Sequence, residues 1–205
     1  MKRAILTGFE PFGPYSFNPV QDTAREYDGK IVDDVEVLGL VLPCTYYGSF
    51  DALSENMNRF SPDIILSTGL ASRVPRIRFE SIGRNVMDGK YPDANGSKPD
   101  YEPIVPDGRP WYPTNSDFRA LVNALRKNGI PAEISIDAEG FICNSLLYLT
   151  ARRIHEEELA VGYAFFHTPW TDDYLDRIKL EHGKVTIKKC DLRKAIEVTL
   201  HELTR

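Results

Sequence analysis

Apolar runs and helical stretches alternate along the chain. Arg3–Phe9 is a short apolar run of strand character, broken at Gly13-Pro14. Asn18-Pro19 has the form of a helix start, with Asn as cap and Pro at the first helical position. Residues 34–43 are β-branched and apolar and predict a strand; 49–60 are helical by composition. Residues 62–69 predict a buried strand closed by Gly69. In 76–82, basic and apolar residues alternate at the start, which predicts a half-exposed strand.

Residues 88–115 are rich in Pro, Gly and Asp and predict a long loop. Asn115 or Ser116 is expected to cap the next helix, which runs to Lys127 and stops at Gly129 and Pro131. A strand at 132–137, a helix at 143–157, a strand at 161–168 and a helix at 191–203 complete the pattern. Strands alternating with helices predict a three-layer α/β/α fold around a twisted, largely parallel but mixed sheet. With no repeat and no convincing linker, residues 1–205 are expected to form a single domain.

Composition narrows the function class. The chain is 42% hydrophobic and 27% charged, as in ordinary globular proteins, and its net charge is −5. Acidic and basic residues are interspersed, which argues against a nucleic-acid partner. The N-terminus lacks the apolar run of a secretory signal, and no stretch matches a membrane span. The expectation is a cytoplasmic protein whose three cysteines, Cys44, Cys143 and Cys190, stay reduced. No C-x-x-C pair exists, so the cysteines match no zinc pattern, and no G-x-G-x-x-G or Walker-type loop marks a nucleotide; neither a metal nor an organic cofactor is expected.

Three residues fall where α/β sheets gather their chemistry, at strand ends and helix starts. Cys143 stands at or near a helix N-terminus, where free N–H groups and the helix dipole favour a thiolate and could hold an oxyanion. A buried core cysteine among Phe141, Ile142, Leu146 and Leu147 is the alternative. His167 ends the strand at 161–168, where an imidazole can take and return a proton; a structural histidine fits equally. His155 and His201 fall on polar helix faces, and His182 in a charged turn. Glu80, between Phe79 and Ser81, could orient that imidazole or pair with Arg76, Arg78 or Arg84. Asp88, Asp137 and Glu139 compete for the acid's role.

Several segments in register resemble the pyroglutamyl peptidase I family. They are Thr7-Gly8-Phe9-Glu10-Pro11-Phe12-Gly13 with Asn18-Pro19, and Gly69-Leu70-Ala71 eleven residues before Glu80. Asn85, Pro92-Asp93, Gly96 and Gly129-Ile130-Pro131-Ala132 continue the match. Phe141-Ile142-Cys143-Asn144 and Phe166-His167-Thr168-Pro169 complete it. The resemblance implies removal of an N-terminal pyroglutamyl residue through a thioester, with Cys143 as nucleophile, His167 as base and acid, and Glu80 orienting it. It also implies Phe9 and Phe12 flanking the lactam, although turn packing is their plainer role. Asn18 and the Leu70 backbone would hold the lactam, and Ile142 would line the pocket. Peptides with a blocked N-terminus are the implied substrates, and a homo-oligomer, dimer or tetramer, the implied assembly.

The chain also departs from that pattern. Asp137-Ala138-Glu139 stands where the family has Ser-Ala-Gly: carboxylates pointing inward would raise the Cys143 pKa, while facing solvent or a cationic group on an altered substrate is the open alternative, and a backbone suited to glycine is lost or strained. Ser72, Ser81 and Gly83 replace other usual residues. Lys90 stands where the family carries an Arg that assists the oxyanion, keeping the charge but losing the planar fork. Two alternatives stay open: a cysteine amidase or peptidase for a different N-terminal cap, and a catalytically weak relative that binds a lactam or peptide end.

Overall fold

The computed structural model describes residues 1–89, 91–177 and 186–205. Strand β1 (Lys2–Phe9) is buried from Ala4 onward, as its apolar run requires of a strand flanked and covered on both faces. Helix α1 (Pro19–Tyr27) starts as the sequence predicts: Asn18 is extended and its side chain accepts the Val20 N–H. Then come β2 (Ile31–Val32), β3 (Val35–Leu42), α2 (Gly48–Phe60) and β4 (Ile64–Leu70). The chain continues through β5 (Ile77–Glu80), β6 (Ile82–Arg84), β7 (Trp111–Pro113), α3 (Phe118–Lys127) and β8 (Ala132–Ser135). Helix α4 (Ile142–Glu156), β9 (Gly162–Thr168) and α5 (Lys189–Leu203) follow, with Trp170–Thr171 pairing Thr186–Ile187 between the last two.

Seven strands form one sheet in the order β2-β3-β1-β4-β9-β5-β8. β3, β1, β4 and β9 run parallel. β2 is antiparallel to β3, and β5 to β9, while β8 is parallel to β5. One sheet face, with Leu6, Leu66, Phe79 and Phe166, packs against Tyr27 of α1, Leu121 and Leu125 of α3, and Ile196 of α5. The other, with Ile5, Ile65, Tyr163 and Phe165, packs against Leu53 of α2 and Leu146 and Leu147 of α4. This is the expected three-layer α/β/α arrangement around a mixed, mostly parallel sheet.

Three local expectations change. The strand read over 76–82 is two elements: at Ser81 the chain leaves the sheet, and β6 pairs with β7 instead. Ser81 ties both parts, donating from its N–H and its hydroxyl to the Ser135 carbonyl and accepting from Thr114. Helix α3 is capped by Asp117, whose carboxylate accepts the Arg119 and Ala120 N–H groups. Asn115 and Ser116 instead bond the backbone of Val161 and Tyr163, fastening the helix entry to the sheet. Within the loop read over 88–115, Trp111–Pro113 forms β7, and Glu102 bridges Met87.

Candidate active site

Cys143 is the second residue of α4 and is half buried. The N-cap residue, Phe141, is extended and offers no side-chain cap. The N–H groups of Asn144 and Ser145 both return to the Phe141 carbonyl. The amides of Ile142 and Cys143 precede that first turn, among the donors that a helix leaves unpaired at its start. They add to the positive end of the helix dipole beside the thiol.

The turn before the helix is held from outside. Asp137 accepts the Glu139 N–H at 2.9 Å and forms an ion pair with Arg84. Both side chains of that pair are well exposed, so the Asp137 carboxylate faces solvent and is met by Arg84. Glu139 adopts φ 63°, in the left-handed region. The backbone suited to glycine is therefore kept with a glutamate in it. Asn144, fully buried, donates to the carbonyls of Arg84 and Val86 and accepts the Arg84 N–H. This binds β6 to the start of α4. Gly83 lets β6 lie close: a Cβ there would sit 2.4 Å from the Tyr148 backbone.

His167 projects from the end of β9, 7% exposed. Its Nδ1 lies 2.8 Å from Oε1 of Glu80, which is completely buried. Its Nε2 faces the same gap beside Gly69 as the Cys143 sulfur. A Cβ on Gly69 would lie 3.0 Å from both His167 Nε2 and Cys143 Sγ, so the absent side chain leaves room where thiol and imidazole meet. Burial opposes a charged imidazole here. The Cys143 sulfur, by charge and hydrogen bond, and Glu80 after it, outweigh burial and push His167 up to about 10. The arrangement can hold a thiolate against an imidazolium, with a nearby row of amides able to take up negative charge.

The competing assignments find other partners. Arg76 and Arg78 both pair with Glu133, and Arg84 with Asp137; no ion pair joins any of them to Glu80 among the described residues. His155 meets Arg109, and His201 meets Asp33; His182 lies outside the described residues. The three cysteines are free thiols. Cys44 is buried, donates to the Glu10 carbonyl at 3.2 Å, and has its thiol pushed up by burial and by Cys143; Cys190 is exposed. Among the described residues, no group of three or more His, Cys, Asp or Glu could hold a metal ion.

The expected lactam-binding residues fall into two groups. Phe9 and Ile142 are buried in the apolar cluster beneath Cys143, and Phe12 packs against that cluster. The Phe12 ring stands 6.2 Å from that of Phe141, which meets Tyr46 edge-on at 5.8 Å. Phe141 and Tyr46 thus extend the aromatic wall that Phe12 begins. Proximity of Phe141 to Cys143 in the chain was a signal for one of them; nothing local marked Tyr46. Asn18 caps α1 and donates to the Glu10 carbonyl, so it shapes the Phe9–Phe12 turn. Leu70 turns toward Trp170, Tyr174, Tyr15 and Phe17, and its strand neighbour is Thr168. Lys90 lies outside the described residues.

Comparison with known proteins agrees with this geometry. The pyroglutamyl peptidase family model matches residues 2–200. The pyrrolidone-carboxylate peptidase of Vibrio campbellii is 36% identical over 169 residues, 82% of this chain and 79% of that protein. That of Chromobacterium violaceum is 34% identical over 205 residues, covering 98% and 93%. The solved pyrrolidone carboxyl peptidase of Thermococcus litoralis superposes with a TM-score of 0.92 at 30% identity, covering 100% of this chain and 94% of that one. A variant of the enzyme from P. furiosus gives 0.92 at 28% identity, covering 98% of both. The chain belongs to the pyroglutamyl peptidase family and is a cysteine-type omega peptidase.

Proposed function

From that membership we propose that the chain removes an N-terminal pyroglutamyl residue from peptides with Cys143, His167 and Glu80. The observation that carries this reading is one imidazole that meets a buried carboxylate at 2.8 Å on one side and shares the gap beside Gly69 with a helix-start thiol on the other. Cys143 thiolate attacks the carbonyl carbon joining the lactam to the next residue. The C–N bond breaks, His167 gives its proton to the departing amine, and a thioester remains. Water then attacks; His167 takes its proton, the C–S bond breaks, and pyroglutamate leaves as the thiolate is restored. Glu80 keeps the imidazole in the orientation both steps need.

The amides at the start of α4 serve the tetrahedral oxyanion in this scheme. Lys90 is assigned to assist there on the family pattern alone. Phe12 and Phe141, with Phe9 behind, form the wall for a small flat ring, since aromatic faces suit an uncharged lactam better than a hydrated ammonium. The Leu70 backbone pairs with the lactam amide, Ile142 lines the floor, and Asn18 acts by holding the turn that carries Phe9 and Phe12. A single domain over residues 1–205, a dimer or tetramer of copies, and a cytoplasmic setting belong to the same reading. Free thiols at all three cysteines support the last. Among the described residues, no helix is long and apolar enough to cross a membrane.

The test is release of a fluorescent amine from a pyroglutamyl amide, comparing the native chain with Cys143→Ser. Thiol-dependent release that disappears in the variant is the expected result. No release from folded, reduced protein overturns the reading in favour of another N-terminal cap or a binding role.

A further inference from the structure

The turn that delivers the nucleophile carries a glutamate at φ 63° where glycine adopts the conformation at little cost. Something around it must hold that backbone. Gly140, next in line, is wedged: a Cβ there would lie 2.7 Å from the Asp88 Cβ, and its carbonyl accepts the Asp88 N–H at 2.8 Å. On the other side stands Arg84. Its guanidinium pairs with Asp137 and donates to the Glu139 carbonyl at 3.4 Å. The same Asp137 oxygen accepts the Glu139 N–H. Both backbone polar groups of Glu139 are therefore gripped by one ion pair.

Arg84 is itself anchored to the residue after the nucleophile. Its N–H donates to Asn144 Oδ1 at 2.9 Å, and its carbonyl accepts from Asn144 Nδ2 at 2.8 Å. The link thus runs from the start of α4, through Arg84, to the turn that enters α4. Phe141, the N-cap residue, adds no side-chain hydrogen bond of its own to this entry.

We propose that Arg84 is a positioning residue. With Asp137 it holds Glu139 in the left-handed conformation, and so keeps Cys143 and the first amides of α4 in register with His167. The inference rests on the proposed peptidase reading for its turnover test, though not for its thiol-reactivity test. It predicts an epistatic pattern that ordinary structural damage would not produce: glycine at 139, which needs no clamp, makes Arg84 dispensable.

The experiment compares Arg84→Met, Arg84→Met/Glu139→Gly and Arg84→Met/Glu139→Gln, all in a Cys190→Ser background. It reads kcat and KM on a pyroglutamyl amide, and the rate of Cys143 alkylation by iodoacetamide. Arg84→Met is expected to lower kcat about tenfold with KM within about twofold, and to slow alkylation, as a misplaced reacting group does. Glu139→Gly in that variant restores at least about threefold in both. Glu139→Gln, which removes charge but keeps a side chain at the same φ, restores neither. Arg84→Met with kcat and alkylation within about twofold of the parent, or a Gly double variant no faster than Arg84→Met, overturns the proposal. If Arg84→Met fails to fold, Asp137→Asn, which keeps an acceptor for Glu139 but breaks the ion pair, takes its place under the same criteria. If the parent alkylates rapidly yet turns over no pyroglutamyl amide, the substrate reading fails and the alkylation ratios alone decide the clamp.

Discussion

His167 and Glu80 meet at 2.8 Å across two strands that run in opposite directions. In the β5–β9 register, Arg78 stands opposite His167 and Phe79 opposite Phe166. Glu80, at the end of β5, therefore lies deeper in the sheet than the imidazole and reaches it from below. Its Oε2 has no hydrogen-bond partner among the described residues. The carboxylate is buried, and its contact through Oε1 is the imidazole.

Glu80→Gln keeps the shape and removes the charge. It is expected to lower kcat roughly 10²-fold, within the range general acid–base groups contribute, and to lower the pKa of His167. Steady-state kinetics with NMR titration of the imidazole checks both. A variant with native kcat and native titration would show that Glu80 is only a space-filling acid.

The raised pKa of His167 fixes the sign of a pH effect. The group moves from its ordinary 6.5 to about 10, so its charged form is stabilised by folding. That contribution is complete below about 6.5 and is lost as pH rises toward about 10. Activity, which needs the proton on His167 for the leaving amine, should fall on its alkaline limb as the pH approaches 10. In Cys143→Ala the largest favourable influence is gone, and the NMR transition of His167 should move down. An unmoved transition would mean that the sulfur does not hold the proton there.

Gly69→Ala inserts a methyl group 3.0 Å from both Nε2 of His167 and Sγ of Cys143, and 2.8 Å from Cδ2 of His167. The thiol and imidazole must part. The required shift is a few tenths of an ångström, so kcat is expected to fall about tenfold, short of the roughly 10²-fold that a misplacement of about 1 Å costs. Far-UV circular dichroism should stay native, which separates this loss from unfolding. Retained kcat would mean that the site relaxes around the methyl.

Asn144→Ala removes the partner of the Arg84 N–H and of the Arg84 and Val86 carbonyls. Leaving such groups unpaired costs on the order of 2–3 kcal/mol, measurable by urea denaturation. Because Asn144 follows Cys143 directly, kcat should fall as well.

The thiols differ in reactivity for reasons visible in their surroundings. Cys44 is buried and its pKa is raised, so it should resist iodoacetamide at neutral pH. Cys143 should be labelled first, ahead of exposed Cys190, as peptide mapping by mass spectrometry would show. Faster labelling of Cys190 would argue against a thiolate at Cys143.

Much of the fold was legible because it is carried locally. Asn18-Pro19 marks the start of α1 through the side chain of one residue and the ring of the next. The apolar runs of β1, β4 and β9 show burial on both faces, which a central strand in this sheet requires. The cap of α3 is not decided locally, because Asn115, Ser116 and Asp117 are all residue types that can cap. Only packing against β9 diverts the first two to Val161 and Tyr163. The break at Ser81 was hidden because Ile77–Arg84 is strand-like throughout, and its two halves pair with different strands.

The residue types at Cys143, His167 and Glu80, and their places near strand ends and a helix start, were set by the sequence alone. So was the departure at Asp137 and Glu139, since residue identity and chain order need no folding. Their relationship was decided in three dimensions. Glu80 joins His167 rather than Arg76, Arg78 or Arg84 because β5 runs antiparallel beside β9, while the arginines reach Glu133 and Asp137 on the exposed side. Asp137 turns outward because Arg84 is there to receive it, and Glu139 keeps a left-handed backbone because the same pair holds it. Charge and strain depend on distance and direction between residues far apart in the chain, and those exist only once the sheet and helices have packed.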